Sequence, residues 1–192
     1  MNYSVDQLKQ QIQKGYKPTF IGFFGNQSDT PEERVFSNFY KSPVTVDLPG
    51  HNTPVRFVCS EQYFMYQKAA LFGDTVRMDA LLNPDLHPAD YKQLGKQVTP
   101  YDDAKWNAAR YESMKEALRY KFTQNQRLKQ ILLKTGQAVL VETSPFDTIW
   151  GIGLGKTHRP GQRPINWRNV DNWRGQNLLG FALMDIRDEL RK

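Results

Sequence analysis

Apolar positions recur at helical spacing along most of this chain. Val5, Leu8 and Ile12 predict a short amphipathic helix over residues 5–14, stopped by Gly15 and Pro18. Residues 20–24, 44–46 and 55–58 are β-branched or aromatic and bounded by Gly, Pro and Asn, so they read as short strands. The polar stretch 25–34 between them reads as a loop, with a role in specificity. From Ser60 the pattern turns helical, with Ser60 as N-cap and Glu61 in the first turn. Further helices are expected over 75–82, 88–96 and 102–122, the last with Trp106, Ala109, Met114, Ala117 and Leu118 as its apolar stripe. Residues 126–134 continue in helical register to a stop at Thr135-Gly136, 138–141 form a compact apolar strand, and 177–191 close the chain as a helix. The expected fold class is mainly α with a small β element, in one domain covering residues 1–192.

Composition narrows the class. A hydrophobic share of 39% and an aromatic share of 12% fit a packed globular chain and exclude a disordered one. No apolar run reaches the roughly 18 to 20 residues that cross a bilayer, and residues 1–6 lack the charged-then-apolar signal pattern, so no membrane association and a cytoplasmic, intracellular location are expected. Cys59 is the single cysteine, which agrees with a reducing compartment. The net charge of +6 points to an anionic partner, either a phosphate-bearing small molecule or a nucleic acid. The basic residues are scattered, with no block that would form a polybasic arm. No repeat or low-complexity segment is visible.

Candidate chemistry begins with Glu61 and Lys68. Seven residues apart, they share one helix face two turns apart, with Phe64 and Met65 between them. Desolvating such groups costs roughly several kcal/mol, so they stay solvated or serve a function. Asp147-Thr148-Ile149-Trp150-Gly151 follows some eighty residues later. Gly155-Lys156-Thr157 suggests a phosphate loop, but the glycine that motif requires is Trp150, and Pro160 and Pro164 forbid the following helix. Gly151-Ile152-Gly153 also fails the dinucleotide fingerprint, because Lys156 occupies the third glycine position. These glycines let the backbone turn sharply or approach a ligand. His51, His87 and His158 have no metal-ligand spacing, so no metal is expected. On pattern alone, Glu61 is a carboxylate favouring the helix dipole, Lys68 a solvated lysine, Asp147 and Asn38 turn residues, and Trp106 a core residue.

Several motifs in order carry a more specific signal: Phe36-Ser37-Asn38-Phe39-Tyr40, Ser60-Glu61-Gln62-Tyr63-Phe64, Gln67-Lys68-Ala69, Ala117-Leu118-Arg119-Tyr120-Lys121-Phe122, Leu133-Lys134-Thr135-Gly136, Val141-Glu142, Asp147-Thr148-Ile149-Trp150-Gly151-Ile152-Gly153 and Gly175-Gln176-Asn177-Leu178-Leu179-Gly180. Together they resemble the NADAR (NAD- and ADP-ribose-associated) family, also called YbiA-like, over about residues 20–190. The resemblance implies a mainly helical single domain and N-glycosidase chemistry on ribose phosphates. Two substrate classes are associated with it: ADP-ribose attached to guanine, and phosphorylated intermediates of riboflavin synthesis. A non-catalytic module reading NAD or ADP-ribose is the alternative. Residues 156–174, rich in Arg and Pro, depart from the compact members and affect the expected shape of one pocket rim.

Cleaving a ribose C1–N bond builds positive charge on the sugar and negative charge on the base. Glu61 and Asp147 can supply a carboxylate and a proton donor, and Lys68 can contact phosphate or hydroxyl oxygens or, as a neutral amine, attack C1. Trp106, Trp150, Phe36 and Tyr40 are candidates to stack on the base, Asn38 to bond its edge, and Gly151 and Gly153 to let backbone approach it. Arg34 and Lys121 are candidate phosphate contacts. The expected partner is an ADP-ribose-type or phosphoribosyl ligand, including ADP-ribosylated nucleic acid, bound by a monomer without a cofactor. The basic surface favours the nucleic-acid-linked substrate.

Overall fold

The computed structural model describes residues 3–25, 28–156 and 165–192. Asn26 and Gln27 of the expected 25–34 loop, and residues 157–164 with Thr157, His158, Pro160 and Pro164, lie outside the described residues. The described residues contain eight α-helices and four short strands, so the chain is mainly helical with little β structure. They fall into two compact units, one formed by Met1–Ser37 with Gln130–Lys192 and the other by Asn38–Lys129.

In the first unit, α1 (Val5–Gln13) is capped by Ser4, whose Oγ accepts from the Gln7 amide at 3.2 Å. Strand β1 (Phe20–Phe23) pairs in parallel with β4 (Val139–Glu142), with Phe20 opposite Val139. Helix α8 (Leu178–Glu189) packs on β4 so closely that a Cβ on Gly180 would stand 2.1 Å from the Leu140 carbonyl. Asn177 fixes this approach. It is fully buried at φ 53°, donates to the Leu140 carbonyl at 2.9 Å and accepts from the Glu142 amide at 3.0 Å. The side chain thus supplies β4 with the pairing that a further strand would otherwise give. The segment expected to be an unbroken loop contains a short helix, α2 (Pro31–Arg34). Thr30 and Glu33 form a reciprocal capping box around it, and Pro31 presets its first turn.

In the second unit, β2 (Val44–Val46) and β3 (Val55–Phe57) pair antiparallel, Val44 opposite Phe57. Helix α3 (Ser60–Phe72) lies against α4 (Thr75–Leu81), α5 (Pro88–Lys96) and α6 (Asp103–Gln124). The last residue of α6, Gln124, bonds both main-chain groups of Thr45 on β2, at 2.8 and 2.7 Å. Helix α7 (Gln126–Lys134) runs across the division of the chain. Ser60 is the first helical residue of α3, not its cap: Cys59 holds the cap position and makes no side-chain cap bond. A buried helix start needs another way to satisfy the local backbone. Gln62 provides part of it, accepting from the Val58 amide at 2.7 Å and donating to the Leu81 carbonyl at 2.8 Å while fully buried.

Gln62→Leu would leave that amide and that carbonyl buried without partners, a cost of roughly 2–4 kcal/mol. Its melting temperature should fall by several degrees in a thermal unfolding scan, and an unchanged value would show that Gln62 does not hold this junction.

Candidate functional site

Each unit positions part of the expected site. In the unit Asn38–Lys129, all residues from Ser60 to Tyr66 are buried. Glu61 occupies the first turn of α3 at 6% exposure, and its amide donates to the Asn38 carbonyl at 3.1 Å. The positive end of the helix favours a carboxylate there. Asn38 is in turn tied to α6, because its Nδ2 lies 3.1 Å from Met114 Sδ. Two buried polar atoms beside this junction, Asn38 Oδ1 and Ser60 Oγ, have no hydrogen-bond partner among the described residues. Buried polar atoms are normally satisfied, so this pair marks a place where a bound molecule or water would be stabilised.

Lys121, a candidate phosphate contact, is fully buried instead. Its Nζ lies 5.6 Å from the ring centre of Tyr40 and 5.4 Å from that of Phe122. Burial pushes its amine down to about 7, opposed by the Cys59 thiol. Burial likewise pushes the Cys59 thiol up to about 11; Glu61 raises it further and Lys121 lowers it. The Cys59 thiol is therefore within electrostatic reach of both Glu61 and Lys121. The amine has no exposed surface in this structure. Its sequence signal is its place on the α6 stripe, three and four residues after Leu118 and Ala117.

Lys68 lies on the same helix as Glu61, about 10 Å along its axis. Its Nζ donates to the Gly95 carbonyl of α5 at 2.8 Å and stands 4.4 Å from the Tyr101 ring centre and 5.5 Å from that of Trp106. Burial lowers its amine below the ordinary lysine value, with Asp103 acting in the opposite direction. Trp106 is itself packed against Phe64, at 5.2 Å between ring centres. The structure thus joins Glu61 with Asn38 and Lys68 with Trp106, while the lysine coupled to the surroundings of Glu61 is Lys121.

In the other unit, Asp147 closes a turn: its Oδ1 accepts from the amides of Ile149 at 3.0 Å and Trp150 at 2.8 Å, and its carbonyl accepts from Gly153. This is the turn role that the pattern alone suggests for it. Gly151 and Gly153 serve backbone packing. A Cβ on Gly151 would meet the Glu142 carbonyl at 2.9 Å, and Gly153 has φ 67°. Trp150 is half-buried, and its carbonyl accepts from the Leu179 amide at 3.1 Å. Phe36 is 2% exposed, with its ring 5.6 Å from that of Phe23, so it belongs to the core of its unit. Glu142, at the end of β4 and within the Val141-Glu142 motif, is a buried carboxylate to which the sequence reading gives no role. Lys156 of the Gly-Lys-Thr run is bound to Asp29 at 2.8 Å and Glu33 at 3.1 Å, which fits its rejection as a phosphate-loop lysine. Among the described residues, no three His, Cys, Asp or Glu side chains gather as metal ligands, and no helix is long and apolar enough to cross a membrane.

Comparison with known proteins adds a family to this geometry. The sequence model of the NADAR domain matches residues 23–191. Protein irg-1 of Caenorhabditis elegans is 40% identical over 166 residues, covering 81% of this chain and 75% of that protein. An N-glycosidase of Acanthamoeba polyphaga mimivirus is 34% identical over 170 residues, 88% of this chain and 95% of that protein. The NMR structure of YbiA from Escherichia coli, an N-glycosidase by name, superposes with a TM-score of 0.66 at 30% identity, over 95% of this chain and 90% of that one.

The buried amine of Lys121 also sets a pH dependence. Between about pH 7 and its ordinary value of 10.5 it is protonated in the unfolded chain and neutral in the folded one. The folded state therefore gains stability as pH rises through that window, and the full cost applies below about pH 7. In paired melts, the melting temperature of Lys121→Met minus that of the wild type should fall steadily from pH 7 to pH 10. A difference independent of pH would contradict the depressed amine.

Proposed function

The chain belongs to the NADAR domain family, and from that premise we propose that it is an N-glycosidase that hydrolyses a ribose C1–N bond, releasing ADP-ribose from ADP-ribosylated guanine. The observation that carries this reading is the buried Glu61 carboxylate at the positive end of α3, beside the unsatisfied Asn38 Oδ1 and Ser60 Oγ. The N-glycosidase names of its relatives supply the bond type.

In the proposed reaction the C1–N bond breaks and its electron pair leaves with the base nitrogen. The ribose becomes oxocarbenium-like, and the Glu61 carboxylate stabilises that charge at short range in a poorly solvated setting. Water adds to C1 and its proton passes to Glu61. The departing nitrogen takes its proton from solvent, and Lys68, held at the Gly95 carbonyl beside Tyr101 and Trp106, contacts phosphate or hydroxyl oxygens of the ligand. Lys121, fully buried beside Cys59, takes no part in these steps. The contacts of Asp147 give it a turn-closing role, and no step of this sequence requires it. The net charge of +6 favours a nucleic-acid-linked substrate, with its many phosphates, over a small phosphorylated riboflavin intermediate.

The test is incubation of the purified protein with guanine-ADP-ribosylated DNA and, separately, with the phosphorylated ribosylamino intermediates of riboflavin synthesis, following the released sugar by mass spectrometry. Release of ADP-ribose is the expected result. Release of ribose 5-phosphate alone would replace the substrate assignment, and binding of ADP-ribose with no release from either would overturn the glycosidase reading in favour of a binding module.

A further inference from the structure

A second feature lies within the unit Met1–Ser37 with Gln130–Lys192, away from Glu61 and Lys68 in the sequence and built on other chemistry. A groove of about 270 Å³ runs between the C-terminal half of α1 with residues 16–20 and the turn at residues 168–171. The family match begins at residue 23, so one complete wall of this groove precedes it. It is lined by three cations, Lys9, Lys17 and Arg168, against one carboxylate, Asp171. Lys9 and Asp171 form an ion pair at 3.4 Å, with the Asp171 side chain 78% exposed. Such a bridge is weak and screened by salt, so it closes the groove only loosely. Neither Lys17 nor Arg168 has a carboxylate at ion-pair distance among the described residues.

Arg168 is exposed, yet its guanidinium is held over the Trp167 ring, 4.4 Å from the ring centre. That support limits the side-chain freedom lost when the guanidinium meets an anion. The apolar surface of the groove is aromatic. Tyr16 is 41% exposed, and Phe20 is half-buried with its ring braced edge-on by Trp167 at 6.4 Å and Trp173 at 6.2 Å. One exposed aromatic ring and one half-buried ring, flanked by cations with no carboxylate partner, are what a single nucleic-acid strand requires: a face for a base and positive charge for the phosphates on either side. The volume lies just below the roughly 300–1,000 Å³ of ordinary small-molecule pockets, so it suits one base and not a dinucleotide.

We infer that this groove binds single-stranded nucleic acid, seating one base against Tyr16 and Phe20 while Lys17 and Arg168 hold the adjacent phosphates. The inference goes beyond the glycosidase reading, because it concerns an unmodified strand and requires no turnover.

Fluorescence anisotropy with labelled, unmodified 12-nucleotide DNA and RNA strands tests it across a salt series, with thermal melts to confirm folding. The wild type should bind, and more weakly as salt rises. Lys17→Glu with Arg168→Glu should weaken binding at least tenfold and flatten the slope of log affinity against log salt by about 1.4, since each lost phosphate contact on a single strand removes about 0.7. Tyr16→Ala should weaken binding about fivefold or more without changing the slope. Comparable effects on both strands are expected, because stacking and charge read neither the base nor the sugar; a preference for one would leave the groove as the site and name its strand. Absence of wild-type binding, or wild-type affinity in the charge-reversed variant, would overturn the proposal. Loss in that variant with no loss in Tyr16→Ala would also overturn it, reducing the groove to a surface for any polyanion.

Discussion

Burial of the first two turns of α3 is the constraint on which the unit Asn38–Lys129 depends. Seven consecutive residues, three of them polar, have been taken out of water there. Each polar group then needs an answer nearby. Gln62 bonds two backbone groups that flank the helix, the Asn38 carbonyl receives the Glu61 amide, and the helix end itself favours the Glu61 charge. The same desolvation pushes the Cys59 thiol up and the Lys121 amine down. A carboxylate surrounded by so little water acts over short distances on any charge that develops beside it, which is the property an oxocarbenium-forming reaction uses.

Much of the fold was legible because most helices are half-exposed and end on local signals. Gly136 after α7 and the capping residues Asp74 and Asp102 are written in the chain, and the structure places helices where the periodicity predicts them. The start of α3 was not fully legible: a helix buried on all sides has no amphipathic face, so Ser60 looks like a cap although Cys59 holds that position. The helix α2 within the expected loop is one turn long. Its signals are the Thr30 and Glu33 box and Pro31 at its first turn, which a periodicity reading passes over.

The candidate site divides in the same way. Glu61 is legible as a helix N-terminal carboxylate, but its burial follows from tertiary packing that no local pattern encodes. Seven-residue spacing puts Lys68 on the same helix face, yet what Lys68 touches is decided by α5 and by Tyr101, distant in sequence. Lys121 hides in plain view as one cation on an apolar stripe. Asp147 illustrates the opposite case, in which the ordinary reading of an isolated turn aspartate describes the contacts it makes.

The account stands on Glu61 as the group that meets the developing charge on the sugar. The most direct measurement is the turnover number of Glu61→Gln on ADP-ribosylated guanosine, with folding verified by its melting temperature. Glutamine keeps the shape and loses the charge, so the account predicts a fall of roughly 10²- to 10⁴-fold in a folded protein. Turnover within a few-fold of the wild type would contradict it.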